Sequence, residues 1–209
     1  MNMKKIISFF IVACCAMCAT AAKVVWQIGV ADNSGTELAL GPSEYKKFLA
    51  HDFGYEDRYF LVGTSVDKND FPYVLPGPDD TWGGTWSTSG WRTHDANILF
   101  GIKKLPKHGK WKLVVDLVDA NPSRSVVKVM VNSAEKKFEI KGHSKGVLEG
   151  NLQDAKEQIL EFPISADDLK KGGNMVTVSV LEGGWIVFDQ IRFCLLYTSP
   201  SPRDRTRSR

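Results

Sequence analysis

The sequence predicts an all-β protein, a jelly-roll β-sandwich of two antiparallel sheets carrying a long aromatic-rich loop. Three observations carry this. Between residues 23 and 193, apolar residues recur with a period of two, as in Trp111, Leu113, Val115 and Leu117 or in Val127, Val129 and Val131. Turn formers such as Asn121-Pro122, Gly172-Gly173-Asn174 and Gly183-Gly184 punctuate these stretches. Helical patterning is confined to two short segments. Many short strands at such spacing bury their inner faces as two stacked sheets.

The elements follow in chain order. Lys4 and Lys5 precede an apolar run at residues 6–13, and small residues continue to Ala19-Thr20-Ala21-Ala22. A basic start, a short apolar stretch and an A-x-A exit form a secretory signal, so residues 1–22 are expected to be removed near residues 21–23 and the product to be secreted or periplasmic. The apolar stretch, about 17 residues, falls short of the roughly 20 that span a bilayer, and no membrane span is expected after cleavage. A second reading takes Ile11-Val12-Ala13-Cys14 as a lipoprotein box with Cys14 lipidated, although the residues beyond Cys14 stay apolar where such tethers are polar. The domain proper, residues 23–193, should open with a strand at 24–28. Further strands are expected at 37–40, 59–62, 98–102, 111–117, 127–131, 137–140, 160–164, 176–180 and 185–193. Residues 43–49, after Pro42 and capped by Ser43, predict a helix, and residues 165–169 predict one turn.

From Cys194 the alternation gives way to a Ser/Pro/Arg mixture. Residues 194–204, Cys-Leu-Leu-Tyr-Thr-Ser-Pro-Ser-Pro-Arg-Asp, resemble residue for residue the translation of a transposase-type sequencing adapter, which makes residues 194–209 an expected non-native tail and Phe193 the last or nearly the last genuine residue. On this reading the natural protein continues into further domains. The other reading is a disordered Arg-rich tail.

The tail and the leader also account for the overall charge. The chain has 27 Lys and Arg against 24 Asp and Glu, a net of +3, but residues 23–193 hold 21 basic and 23 acidic residues, a net of −2. Nucleic-acid binding therefore lacks its main driving force. All four cysteines, Cys14, Cys15, Cys18 and Cys194, lie outside that segment, which excludes disulfides, thiolate metal sites and a Cys nucleophile within it.

The best candidate binding segment runs from Phe71 to His94. It holds Tyr73, Asp79 and Asp80 in a Pro-rich stretch, then Trp82, Trp86, Trp91, Arg92 and His94. A loop this long in a compact domain is usually functional when its composition is aromatic. Sugars present C–H faces that lie flat on indole rings and hydroxyls that pair with carboxylates and guanidinium groups, so this set suits a polysaccharide. The competing reading is that the three tryptophans pin the loop to a sheet, whereas Trp26, Trp111 and Trp185, within strand patterns, are expected in the core. Catalytic pairs are not evident: Asp79 and Asp80 are adjacent and point apart, and Arg92 with His94 offers only a conceivable lyase pair. His51, His94, His108 and His143 are scattered without zinc spacing. No cofactor is expected, and a structural calcium remains open.

Three motifs resemble the carbohydrate-binding-like jelly-roll domain, domain III, of family 4 polysaccharide lyases, the rhamnogalacturonan lyases. They are Val25-Trp26-Gln27-Ile28-Gly29 followed by Asp32; Gly109-Lys110-Trp111-Lys112-Leu113 leading to Val127-Lys128-Val129-Met130-Val131-Asn132; and Phe162-Pro163-Ile164 with Leu169 to Asn174 and Trp185 to Arg192. The resemblance implies a non-catalytic carbohydrate-binding module of a larger polysaccharide-degrading enzyme, acting on plant cell-wall glycan as a monomer. Catalytic residues of those lyases lie on another domain, so none carries over. Here the domain follows the signal peptide directly, and residues 67–97 hold a long segment that the family pattern does not explain. Two alternatives stay open: a spacer that packs on a catalytic domain, and a small polysaccharide lyase or glycosidase with its site between Trp82 and His94.

Overall fold

The computed structural model describes residues 21–41, 44, 47, 57–80, 94–106 and 109–197. Among the described residues there are ten strands: β1 (Ala21–Gly29), β2 (Arg58–Leu61), β3 (Val74–Pro76), β4 (Asp95–Ile102), β5 (Lys110–Ala120), β6 (Arg124–Val131), β7 (Ala134–Lys141), β8 (Gln158–Ile164), β9 (Gly172–Glu182) and β10 (Trp185–Tyr197). One sheet has the order β1-β10-β5-β8, with β3 pairing the start of β10, and the other has the order β2-β4-β9-β6-β7. From β4 onward the chain crosses between the sheets at every connection except the β6–β7 hairpin, as a jelly roll requires.

Alternation explains which face each strand buries. Ile98 and Phe100 of β4, Val176, Val178 and Val180 of β9, and Val127, Val129 and Val131 of β6 point inward from one sheet. Leu113, Val115 and Leu117 of β5 and Ile191 and Phe193 of β10 meet them from the other. At one end of the sandwich Phe193 stacks between Trp26 and Trp111, with ring centroids 5.8 and 5.3 Å away, and Phe100 tilts against it at 5.0 Å. Trp185 is likewise buried, so all three strand tryptophans are core residues as expected.

The structure departs from the sequence reading in several places. Residues 37–40 form a turn with one isolated bridge, Ala39 to Pro72, in place of a strand; Leu40 takes φ 61°, which ends any extension. The sheets are not wholly antiparallel, because β2 lies parallel to β4. The three-residue β3, the short helix α1 (Asp67–Asp70) and the 3-10 turn at Lys145–Glu149 carry no sequence period long enough to show. The turn expected at 165–169 is present as Ala166–Asp168, capped by the Ser165 side chain. Residues 1–20 of the leader expected at 1–22, and residues 198–209, lie outside the described residues, as does the expected helix at 43–49 apart from Glu44 and Lys47; Ala21 and Ala22 begin β1. Strand β10 continues through Cys194–Tyr197, four residues of the adapter-like segment, which pair with β1 and β5. Among the described residues no helix is long and apolar enough to cross a membrane.

The exit from β1 is held by carboxylates drawn from distant parts of the chain. Gly29 N–H donates to Asp67 Oδ2 (2.9 Å), Val30 N–H to Glu37 and Ser34 N–H to Asp189 Oδ1 (3.0 Å). Gly29 sits at φ 78°, and a Cβ there would run into the Asp189 carbonyl, so only glycine fits the turn.

Candidate functional site

The aromatic segment at residues 81–93 leaves from one sheet and returns on the other, and both of its feet are fixed. The first foot is the stretch after β3. Gly77 N–H donates to the Gly184 carbonyl, Asp79 N–H to the Gly183 carbonyl (3.1 Å) and Asp80 N–H back to Gly77 (3.3 Å). This ties residues 77–80 to the β9–β10 turn and leaves Asp79 exposed and Asp80 half-buried beside Gly184. The turn is braced from behind. Asn121 N–H donates to the Trp185 carbonyl (2.9 Å), and Gly142 N–H donates to Asn121 (3.0 Å). Asp119, wholly buried, accepts the backbone N–H groups of Ala120, His143 and Ser144 at 2.8, 2.9 and 3.0 Å.

The second foot is His94 at the start of β4. It is 2% exposed, with Nδ1 3.7 Å from Asp57 Oδ1. The same Asp57 oxygen accepts the Asp95 N–H (3.0 Å), and the Ser179 hydroxyl donates to Asp95 from the next strand.

Of the predicted site residues, Asp79 and Asp80 lie at the surface of the first foot, and Trp82, Trp86, Trp91 and Arg92 lie outside the described residues. Tyr73 is a correction. It is 0% exposed, its hydroxyl donates to the Leu148 carbonyl (2.9 Å), and its own carbonyl accepts the Phe188 N–H (2.7 Å). It belongs to the core, because burying its ring removes far more apolar surface from water than a single sugar contact would. His94 is corrected in the same sense: burial makes it an anchor for the loop and keeps it off any ligand-facing surface.

Asn174 and Asp189 hold turns, as their sequence contexts suggest. Asn174 Oδ1 accepts from Lys170 N–H (2.8 Å) and Asn132 Nδ2 (2.9 Å), while its Nδ2 donates to the carbonyls of Lys170 (2.9 Å) and Gly172 (3.1 Å).

Sequence reasoning missed Asp57, Asp119 and Asp116. Asp and Glu are abundant, and nothing local marks one as buried. Asp116 is 2% exposed, and its Oδ1 has no hydrogen-bond partner. Burial first, then the negative charges of Glu157 and Asp189, push its carboxyl up to about 6 against the opposing pull of Arg192. Burial also raises the Asp189 carboxyl, opposed by the backbone N–H groups of Asn33, Ser34 and Gly35. Among the described residues no three His, Cys, Asp or Glu side chains gather as metal ligands.

A family model described as "CBM-like: Polysaccharide lyase family 4, domain III" matches residues 24–193. The chain belongs to this family. No curated protein matches the chain in sequence. Solved structures similar to it include a family 35 carbohydrate-binding module from an environmental isolate, 14% identical over 52% of this chain and 72% of that one, with a TM-score of 0.33. Another is the CBM35 of Abf62 from Cellvibrio japonicus, 12% identical over 48% of this chain and 64% of that one, with a TM-score of 0.32. A third is a ruminal GH26 endo-β-1,4-mannanase, 13% identical over 52% of this chain but 18% of that one, with a TM-score of 0.32.

The structure explains why the motifs of the domain III family were legible. Trp26 and Ile28 fill the core from β1, Trp111 and Leu113 from β5, and Ile191 and Phe193 from β10, while Asn132, Asn174 and Asp189 close turns. These residues specify a scaffold.

Proposed function

We propose that the chain is the carbohydrate-binding module of a secreted polysaccharide-degrading enzyme of the rhamnogalacturonan-lyase type, non-catalytic by itself, with its ligand site at residues 79–94. The observation that supports this best is the double anchoring of an aromatic segment on a domain III scaffold. Its feet are tied to the β9–β10 turn and to Asp57, so a sugar-stacking surface there would be held in place before ligand arrives. In this reading Trp82, Trp86 and Trp91 supply platforms, Asp79, Asp80 and Arg92 pair with hydroxyls, and Tyr73 and His94 hold the frame. The ligand is a plant cell-wall glycan. The leader at residues 1–22 exports the protein, and catalysis belongs to a domain beyond this chain.

Affinity electrophoresis in gels containing xylan, mannan, pectin or rhamnogalacturonan tests the reading. Retardation by at least one glycan is expected, and retardation by neutral xylan or mannan should disappear in a Trp82→Ala, Trp86→Ala, Trp91→Ala variant. No retardation by any glycan supports a spacer that packs on a catalytic domain, and cleavage of a glycan by the purified chain supports a small enzyme. Retardation by neutral xylan or mannan that survives the triple substitution moves the site elsewhere.

A further inference from the structure

We propose that the end of the sandwich opposite Asp79, Asp80 and His94 carries a second glycan site, one that takes a uronate-bearing polysaccharide on Lys103, Lys104, Lys171 and the Trp111 indole N–H. The proposal borrows only the class of polymer from the reading above.

Lysines cluster at one end of the fold. Asp32, Asp67, Asp70, Asp79 and Asp95 gather where β1 exits, β4 begins and β9 ends. At the other end Lys103 and Lys104 follow β4, Lys170 and Lys171 precede β9, Lys23 lies on β1 and Lys110 opens β5, all six exposed. None of the six is in an ion pair among the described residues. Asp167 and Asp168 sit in the turn before β9, where Asp168 already accepts the Ser165 N–H. In a domain whose net charge is −2, this is an uncompensated cationic surface.

The surface is also shaped. Three adjoining hollows of about 420, 490 and 520 Å³ meet at Gly101. Gly101 and Gly173 pair across β4 and β9, and a Cβ on either would meet nothing within 4 Å, so bare backbone forms a flat floor. Leu61, Leu99 and Met175 wall one side, and Tyr59, 63% exposed, stands one row further along the same face. Lys103 and Lys171 flank the open side.

A further observation points to a ligand. Trp111 lines the second hollow beside Lys103 and Lys104, is 3% exposed, and its Nε1 has no hydrogen-bond partner. A buried indole N–H normally finds an acceptor, and leaving one unmet costs free energy. Trp26 Nε1 is similarly unmet but does not line the hollow. An anionic acceptor entering there would satisfy the Trp111 donor and face the lysines at once.

Flat apolar floor, peripheral cations and a single buried donor suit a polymer with one carboxylate per sugar. A DNA duplex carries a charge roughly every 1.7 Å and would call for a denser basic track than these lysines provide.

Calorimetric titration of the full chain with oligogalacturonate tests this, in a background where Arg203, Arg205, Arg207 and Arg209 are changed to Ser so that the tail cannot bind polyanions. Binding is expected, weakening by about tenfold in Lys103→Ala, Lys104→Ala, Lys171→Ala and by about tenfold in Trp111→Phe, which keeps an aromatic six-membered ring and loses the N–H donor with the rest of the indole. It should persist in the Trp82, Trp86, Trp91 triple variant. Neutral xylan or mannan binding should show the opposite pattern, so loss of one site is distinguishable from loss of the other. The proposal is overturned by absence of oligogalacturonate binding, by binding indifferent to the lysine and Trp111 changes, or by equal affinity for a DNA duplex. A thermal melt of each variant matching the parent assigns any loss to binding.

Discussion

Replacing Asp116 with Asn should stabilise the protein at neutral and alkaline pH and do nothing at acid pH. Asp116 lies on the outer face of the β1-β10-β5-β8 sheet yet is 2% exposed, with its carboxyl raised from 3.8 to about 6. The folded state therefore holds this proton more tightly than the unfolded chain does. For an acid shifted upward, the linkage runs as follows. Below the unfolded value both states are protonated and no difference exists; between 3.8 and about 6 stability falls as pH rises; above about 6 the full cost of ionising a buried carboxyl is present. A separation of about two pH units corresponds to about 3 kcal/mol, an upper bound because water and neighbours relax around the charge. Asn keeps the shape and cannot ionise. Urea denaturation at about pH 8 should show the variant more stable by up to about 3 kcal/mol, or up to about 10 °C in melting temperature for a domain of this size. At about pH 3 the two proteins should nearly coincide. Asp189, raised in the same direction, remains in both and leaves a residual slope in the variant. A gain of equal size at both pH values, or none at about pH 8, would refute the assignment of this cost to Asp116 ionisation.

Three further outcomes follow from the packing. Phe193→Ala removes the ring shared by Trp26, Phe100 and Trp111 and should cost about 3–5 kcal/mol in urea unfolding, while Leu at that position should recover part of it. Asn174→Ala strands the Lys170 N–H and two carbonyls, so a loss of about 2–3 kcal/mol is expected, with faster hydrogen exchange at the Lys170 amide. Arg124 bridges Glu139 and Glu182 on the open surface, and Arg124→Ala should leave the urea midpoint unchanged despite those contacts.

How much was legible depended on whether the signal was local. Period-two alternation marked β5, β6, β9 and β10 because each turns branched or aromatic side chains into the core at every second position over many residues, although the outer faces of β5 and β10 are largely buried as well. Val74–Pro76 was hidden, since a three-residue strand beside prolines has no period to display. Residues 37–40 misled for the converse reason: Leu38 and Ala39 are buried in a turn, and burial was taken for extension. The parallel pairing of β2 with β4 depends on where a distant segment docks, which no local pattern encodes. In the candidate site, the chemistry of Asp79 and Asp80 could be read from residue type. The role of Tyr73 could not, because an aromatic among prolines reads equally as platform and as core. Asp57 and Asp119, which fix the feet of the loop, look like ordinary surface acids until the amides they accept are located.

The antiparallel pairing of β1 with β10, from Ala21 opposite Tyr197 to Gly29 opposite Gln190, has a mechanical consequence. The first and last strands are neighbours, and their outer ends emerge side by side. Tension applied between a tether before Ala21 and one after Tyr197 would load the ladder one hydrogen bond at a time, peeling it from the end, whereas strands pulled lengthwise past each other share the load across many bonds. The fold should yield at low force when stretched through its ends, and the peel would first open the rungs nearest the basic face.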